Sequence, residues 1–418
     1  MMDDSQTNRM DEINTHNYFK SPIRIEPLHA VCNLCNCVVM EELFHDYWIV
    51  NILAIFFICL LCTGLLIPGI LQIAVSKQLF DKVDVRKIHK GRVPRLGGMA
   101  FVPVIIFSIM LMIAVNLSMG YPALSDCFLS SPEGLLYDGC ALLMLYIIGL
   151  GDDLVGIRYR TKFIIQLLCA FMVLAGGLGV DNLGGLFGIY QLPVWATWVM
   201  TVLTVLLIVN AVNLIDGIDG LASGLSAIAL AFFAGLFYLH GVYDCAIIAV
   251  ATLGVVLSFF YFNVFGDASR YKKIFMGDTG SLTLGFILTC LAFRTLHLPE
   301  AAPSDNINRF VLAFSPLLVP CMDVVRVFIV RIMHKKNPFM PDKRHLHHAM
   351  MAAGIPHRGT MMLILLVSIT FIVLDCYISQ LFNVTYVLLI DIVLYLGLML
   401  LLRYFRLKRT AAEDANAN

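Results

Sequence analysis

The sequence predicts an all-α polytopic membrane protein: a helical bundle of about eleven transmembrane helices, N-terminus outside and C-terminus cytoplasmic. Three observations predict it. Hydrophobic residues make up 59% of the 418 positions and charged residues only 14%, with a mean hydropathy of +0.83, far from the composition of a soluble domain. The apolar residues fall in runs close to the ~20 that a helix needs to cross the hydrocarbon core. The basic residues gather on alternate loops.

The apolar runs cover roughly 47–71, 98–117, 136–150, 163–180, 193–209, 220–239, 243–262, 281–294, 309–331, 359–379 and 383–402. They are too long, and too little alternating, for barrel strands. Residues 1–46 form a polar tail with eight acids and three bases and no signal-peptide core ahead of the first span. The tail is expected to be dispensable up to residue 39, with Met40 sufficing as a start. Its Cys32, Cys35 and Cys37 have no second Cys/His pair at zinc-finger spacing. Residues 47–402 are the membrane domain, and 403–418 are a basic-to-polar cytoplasmic tail.

Net charge is zero, so the total says nothing about partners, and no nucleic acid is expected. The distribution is informative. Twenty-three of the 29 basic residues lie on one set of loops, around Lys77–Arg95, Arg158–Lys162, Arg270–Lys273, Arg331–Arg358 and Arg403–Arg409. The positive-inside rule makes that side cytoplasmic.

The polar motifs face the same way. Asp152 and Asp153 in GDDLVG follow the third run. Asn213, Asp216 and Asp219 in NAVNLIDGIDGLA follow the fifth, Asp278 in IFMGDTGS follows the seventh, and His345, His347 and His348 in PDKRHLHH follow the ninth. Independent decoration would scatter over both faces, so one shared site is the economical reading. Each motif also has a plainer one. Asp216, Asp219 and Asp278 are at places where carboxylates cap helices, with Asp216 and Asp219 sharing the face of a helical turn. Asp152–Asp153 balances basic loops, and the histidines sit on an exposed basic loop or bind zinc. Paired carboxylates beside cations also suit a Mg²⁺-diphosphate, and a helix opening at Gly277 offers N–H groups to phosphate. Asp323 and Arg326, three apart inside the ninth run, either pair with each other or line a functional cavity.

Together with VDVRKIHKGRVPRLGG at 83–98, these four motifs, in this order along residues 47–358, resemble the polyprenyl-phosphate N-acetylhexosamine-1-phosphate transferases. The branch most similar is that of the undecaprenyl-phosphate GlcNAc-1-phosphate transferases, of glycosyltransferase family 4 type. The resemblance implies an all-helical bundle in the bacterial inner membrane with a cytoplasmic, Mg²⁺-dependent site, Mn²⁺ able to substitute. It implies a UDP-N-acetylhexosamine donor, undecaprenyl phosphate as acceptor, UMP as product, and a homodimer as one possible state. It makes Asp278, with Asp153, the metal ligand. Asp152, Asp153, Asp216, His345, His347 and His348 become catalytic. Lys90, Lys162, Asn213, Asp219, Asn263 and Phe275 become substrate-binding, with Phe275 stacking on uracil and Asp219 hydrogen-bonding it. Direct attack by the acceptor phosphate is expected, Asp152 orienting it or taking its last proton, rather than a covalent aspartyl-phosphate. The H-x-H-H loop resembles the GlcNAc branch; the alternative donor class is phospho-MurNAc-pentapeptide, and the alternative of a different kind is a transporter.

Overall fold

The computed structural model describes residues 26–79, 93–130, 132–298, 307–335 and 344–417, with side chains outside the description at 26–45 and 412–417. Lys90 and the expected dispensable tail therefore lie outside the described residues or their side chains. The chain divides into two units, Met1–Val50 and Asn51–Asn418, and every motif above belongs to the second.

The architecture is helical throughout. The first helix is α1 (Glu26–Ser76). A 3₁₀ turn at Gly97–Ala100 leads into α2 (Phe101–Ser118), followed by short α3 (Ala123–Leu129), α4 (Pro132–Val155) and α5 (Tyr159–Ala175). A small antiparallel hairpin of β1 (Asn182–Leu186) and β2 (Ile189–Gln191) precedes α6 (Val194–Ile215), α7 (Leu221–Leu239), α8 (Tyr243–Val264) and α9 (Gly277–Leu296). Then come α10 (Arg309–Phe314), α11 (Leu318–Met333), α12 (Leu346–Ala352), α13 (His357–Ile378) and α14 (Val384–Ala417).

Ten helical segments among the described residues are long and apolar enough to cross a membrane, making this a multi-pass membrane protein. They coincide with ten of the eleven apolar runs. The eleventh run, 163–180, became α5, of 17 residues, at the short end of the spanning range. It starts four residues early, taking in Arg160 and Lys162, and stops at Gly176 and Gly177, the latter at φ +81°. The ninth run is a broken span: α10 and α11 are joined by a 3₁₀ turn at Ser315–Leu317, where Pro316 removes a donor and the Ser315 hydroxyl donates to buried Asp375 on α13.

Apolar side chains point both ways, as a membrane solvent allows. Leu65, Val155, Ile147 and Leu239 are exposed because lipid, not water, is their surroundings. Trp195 and Trp198 lie exposed in the first turns of α6 next to Tyr190 of the hairpin, the place where aromatic rings mark a membrane boundary. Between helices, buried polar pairs add direction: the Asn116 amide donates to Asn51 Oδ1 across α2 and α1 at 2.7 Å. Such contacts contribute about 0.6 kcal/mol on average.

At the centre is α9, 89% of whose apolar stretch is buried, against 22% for α1. It is flanked by α4 and α6. Glycine permits the approach. A Cβ on Gly149 of α4 would lie 2.6 Å from Thr279 Cα, and one on Gly98 would lie 2.0 Å from the Gly280 nitrogen. The start of α9 is thus wedged between α4 and the turn before α2 with backbone against backbone.

Gly149→Ala should destabilise the protein by roughly 1–3 kcal/mol, the usual overpacking penalty, because the obstacle is backbone that cannot rotate away. Gly139→Ala, on the same helix with nothing within 4 Å of its added methyl, should be neutral or slightly stabilising. Thermal melting of the two detergent-purified variants tests this, and equal melting temperatures would contradict the wedge.

Candidate active site

The motifs converge on the end of the bundle where α4 and α6 finish and α9 starts. An α-helix begins with orphan N–H groups, and here a neighbouring helix supplies the cap. Asp153 Oδ1 accepts the Asp278 N–H at 2.8 Å; Asp153 Oδ2 accepts the Thr279 N–H at 2.9 Å and the Thr279 hydroxyl at 2.5 Å. Gly277 is obligatory beneath this cap. Its φ is +74° and a Cβ would strike the Arg95 carbonyl oxygen at 2.4 Å and Asp153 Oδ2 at 2.5 Å. The capping role expected for Asp278 therefore falls to Asp153, which leaves the Asp278 carboxylate half-buried and free of backbone duty.

Lys162 of α5 fills the gap between the acids. Its Nζ donates to Asp278 Oδ2 at 2.7 Å and to Asp152 Oδ2 at 3.2 Å. Asp152 Oδ1 accepts the Ile157 N–H at 2.7 Å, which holds the turn between α4 and α5. One oxygen from each of Asp152, Asp153 and Asp278 lies within 4.8 Å of the others. An all-oxygen donor set, incomplete on its own and open on one side, fits a magnesium ion that takes its remaining ligands from water or phosphate. Asp278 and Asp152 have the less committed oxygens; Asp153 already accepts three donors.

Asn213, in the last turn of α6, donates to Ser281 Oγ at 2.8 Å, and Ser281 donates in turn to the Gly277 carbonyl at 3.1 Å. Asn210 donates to Gln166 Oε1 at 2.7 Å. A cavity of about 540 Å³ opens here, polar where Lys162, Asn213 and Asp278 line it and apolar where Phe163, Ile164 and Leu282 do.

Asp216 and Asp219 do not share a helical face. Asp216 is the C-cap of α6 and Gly220 the N-cap of α7, with a tight turn between them. Neither acid caps α7, whose N-cap makes no side-chain hydrogen bond. Asp219 instead forms an ion pair with buried Lys273. Enclosure pushes the Asp216 carboxyl up to about 8; Arg95 opposes this, and the charges of Asp278, Asp219 and Asp153 add to it.

Asn263, expected at the substrate, is buried beneath the turn. Its Oδ1 accepts the Gly220 N–H at 2.6 Å and its Nδ2 donates to the Ile274 carbonyl at 2.9 Å. It joins the Asp216–Gly220 turn to the IFMGD segment. That segment is held from its other side by PRLGG. Phe275 donates its N–H to the Pro94 carbonyl, Gly97 to the Phe275 carbonyl and Gly98 to the Met276 carbonyl, at 2.8–2.9 Å. Phe275 keeps a half-exposed ring.

The histidines do not lie on an exposed loop. His345 and His347 are buried and His348 half-buried. The rings of His345 and His347 stack at 6.0 Å and those of His347 and His348 meet at 4.2 Å. His347 rests on the Asp216–Asp219 turn: a Cβ on Gly217 would lie 2.6 Å from its Nε2. Burial first, then the neighbouring His348, pushes the His347 imidazole down to about 3, so it is neutral at physiological pH. Its buried Nδ1 has no hydrogen-bond partner among the described residues.

The structure thus joins Asp152, Asp153, Lys162, Asn213 and Asp278 directly, and brings Asp216, Asp219 and His347 alongside through the α6–α7 turn. Sequence reasoning missed Lys273, Gln166 and Ser281. Lys273 is one of three bases in a loop, and only its burial against Asp219 distinguishes it.

Residues 135–295 match the family model described as glycosyl transferase family 4, a stretch from α4 to α9 that holds Asp152, Asp153, Asp216, Asp219 and Asp278. The chain is 29% identical over 327 residues to a probable undecaprenyl-phosphate N-acetylglucosaminyl 1-phosphate transferase of Bacillus subtilis (strain 168), covering 78% of this chain and 84% of the relative. It is 29% identical over 308 residues to the undecaprenyl-phosphate alpha-N-acetylglucosaminyl 1-phosphate transferases of Salmonella typhi and Escherichia coli (strain K12), covering 71% of this chain and 75% of each relative. Over its matched helices and against these relatives, the chain is similar to glycosyl transferase family 4.

Proposed function

We propose that the protein transfers N-acetylhexosamine-1-phosphate, most simply GlcNAc-1-phosphate, from a UDP-sugar to undecaprenyl phosphate at the cytoplasmic face of the bacterial inner membrane. The observation that carries this is Lys162 bridging Asp152 and Asp278 at the mouth of a cavity that turns from charged to apolar. A lipid phosphate needs that combination: a cation and a metal-ready carboxylate at the head, and apolar walls along the tail. The relatives, named for undecaprenyl phosphate and N-acetylglucosaminyl 1-phosphate, support this acceptor and sugar. The excess of basic residues on the motif side supports the cytoplasmic placement.

In the reaction an oxygen of the acceptor phosphate attacks the sugar-side phosphorus of the UDP-sugar. A new P–O bond forms, the bond to the bridging oxygen breaks, and UMP leaves with that electron pair, roughly in line. Magnesium, held by Asp278 with Asp152 or Asp153, would supply charge neutralisation for the diphosphate; manganese is expected to substitute. Lys162 is placed to hold the acceptor phosphate, and Asp152 to orient it. A phosphate monoester is already largely dianionic at neutral pH, so little proton removal is required. Asp219, Lys273 and the Phe275 ring form the adjoining lobe for the uridine, and neutral His347 offers ring nitrogens to the sugar-phosphate end.

Asp278→Asn should fold, since Asp278 accepts only from the mobile end of Lys162 among the described hydrogen bonds. Turnover should fall by about a hundred-fold or more, the scale of losing one charge-stabilising group. UMP release with Mg²⁺ and undecaprenyl phosphate measures it; wild-type turnover with an unchanged Mg²⁺ requirement would remove Asp278 from the metal site.

UDP-GlcNAc, or a close UDP-HexNAc, should be turned over and UDP-MurNAc-pentapeptide should not. His347→Ala and His348→Ala should each slow transfer by at least about ten-fold, or ~1.4 kcal/mol. Robust transfer from the muramoyl donor would reassign the sugar.

Cation binding should be pH-linked. Asp216, with its carboxyl at about 8, is protonated at pH 7, and a bound cation nearby favours its ionised form. Magnesium binding should therefore release a proton at pH 7, tighten as pH rises towards 8, and level off above it. Calorimetry in buffers of different ionisation enthalpy reads the proton count, and Asp216→Asn should abolish the release.

A further inference from the structure

Asp323 lies midway along α11 and is only 1% exposed. A carboxylate in the middle of a span costs ~2.5–3.5 kcal/mol on insertion scales unless it is partnered. One ion pair with Arg326 would meet that cost, and the Arg326 Nη2 does donate to Asp323 Oδ1 at 2.8 Å. Three further donors converge on the same carboxylate. Oδ1 also accepts the Leu346 N–H at 2.9 Å and the Tyr395 hydroxyl at 3.0 Å, and Oδ2 accepts from His345 Nδ1 at 2.8 Å. Arg326 additionally donates to the Arg344 carbonyl. Every one of these contacts, apart from Tyr395 of α14, leads to the three residues Arg344–Leu346 that open α12.

The chemistry of the donor set fixes a proton. An ionised carboxylate only accepts, so His345 Nδ1 must carry the hydrogen. In the neutral ring this leaves the lone pair on Nε2. The His345 ring then stacks on His347, and His347 rests on Gly217 of the donor-side turn. A chain of contacts runs from mid-span Asp323 to the Asp216–Asp219 turn.

We propose that Asp323 is a positioning residue for the transferase reaction: it fixes the tautomer of His345 and docks α12, through Leu346 and Tyr395, so that His347 and His348 are held over the α6–α7 turn. The proposal rests on the transferase reading above for its kinetic test. An ion pair alone explains neither the backbone N–H of Leu346 nor the Tyr395 hydroxyl on the same oxygen.

The test uses the full chain in detergent with undecaprenyl phosphate, Mg²⁺ and whichever UDP-sugar the wild type turns over. Asp323→Asn should lower kcat about ten- to a hundred-fold, the usual loss when a histidine's orienting partner goes, while KM for undecaprenyl phosphate stays within about two-fold. Asp323→Asn combined with His345→Ala should be no slower than the slower single variant, because both break one device. Losses that multiply would show that Asp323 serves only bundle packing and would overturn the proposal. If Asp323→Asn does not yield a monodisperse protein, Tyr395→Phe keeps the charge and three donors, and the same non-additivity with His345→Ala is expected of it. A second arm needs no turnover. Met350 on α12 is fully buried, so a Cys there should react slowly with maleimide, read by mass spectrometry of its peptide. Adding Asp323→Asn should speed that reaction by at least about ten-fold, as docking free energy of ~1.4 kcal/mol is lost. An unchanged rate would overturn the docking claim even if the donor sugar had been misassigned.

Discussion

Three hydrogen bonds from the first turn of α9 end on the carboxylate of Asp153, at the last turn of α4. The functional end of the protein is built outward from that contact. A helix start presents unpaired donors and partial positive charge, and burying it between two other helices would be costly without an acceptor. Asp153 satisfies it, and Gly98, Gly149 and Gly277 let the three backbones close to within the distance the carboxylate can span. Asp278 is thereby pinned in the first turn with its own carboxylate turned towards Lys162 and Asp152.

Two polar lobes flank this point. On one side, Asp152, Lys162, Asn213 and Asp278 line a cavity that becomes apolar away from the charges. On the other, Lys273 pairs with Asp219, with Asn263 fastening the turn from below. Burial first, and then the charges of Asp278, Asp219 and Asp153, raise the Asp216 carboxyl. An acid cluster with a single bridging lysine is poised to gain from a divalent cation, because the cation relieves the repulsion that adds to the burial of Asp216.

The histidine segment is fastened differently. It comes from a part of the chain more than sixty residues beyond Asp278, and its register depends on polar groups inside the bundle rather than on a neighbouring loop. Asp323, Arg326 and Tyr395 occupy positions where lipid-facing or core residues would normally be apolar. Their hydrogen bonds to Arg344, His345 and Leu346 convert a membrane-embedded charge into a fixed point for α12. The long α14, which contributes Tyr395, brings its later residue Arg409 against Gly354 at the end of the same segment.

The sequence by itself determined the membrane architecture, because the need for ~20 apolar residues per crossing is written locally, and ten of the eleven apolar runs are spans within a few residues. The eleventh is short because Gly176 and Gly177, the latter at φ +81°, end its helix before the apolar run does. Most residues of the candidate site were also legible, since carboxylates, amides and histidines are conspicuous in an apolar chain. Their division of labour was not. Which of two adjacent aspartates caps a helix, whether Asn263 meets substrate or fastens a turn, and whether the histidines lie exposed or buried all depend on which groups meet across the fold. Lys273 and Tyr395 carry no local signal, because a lysine in a basic loop and a tyrosine in a membrane helix are ordinary until tertiary packing sets a carboxylate beside each.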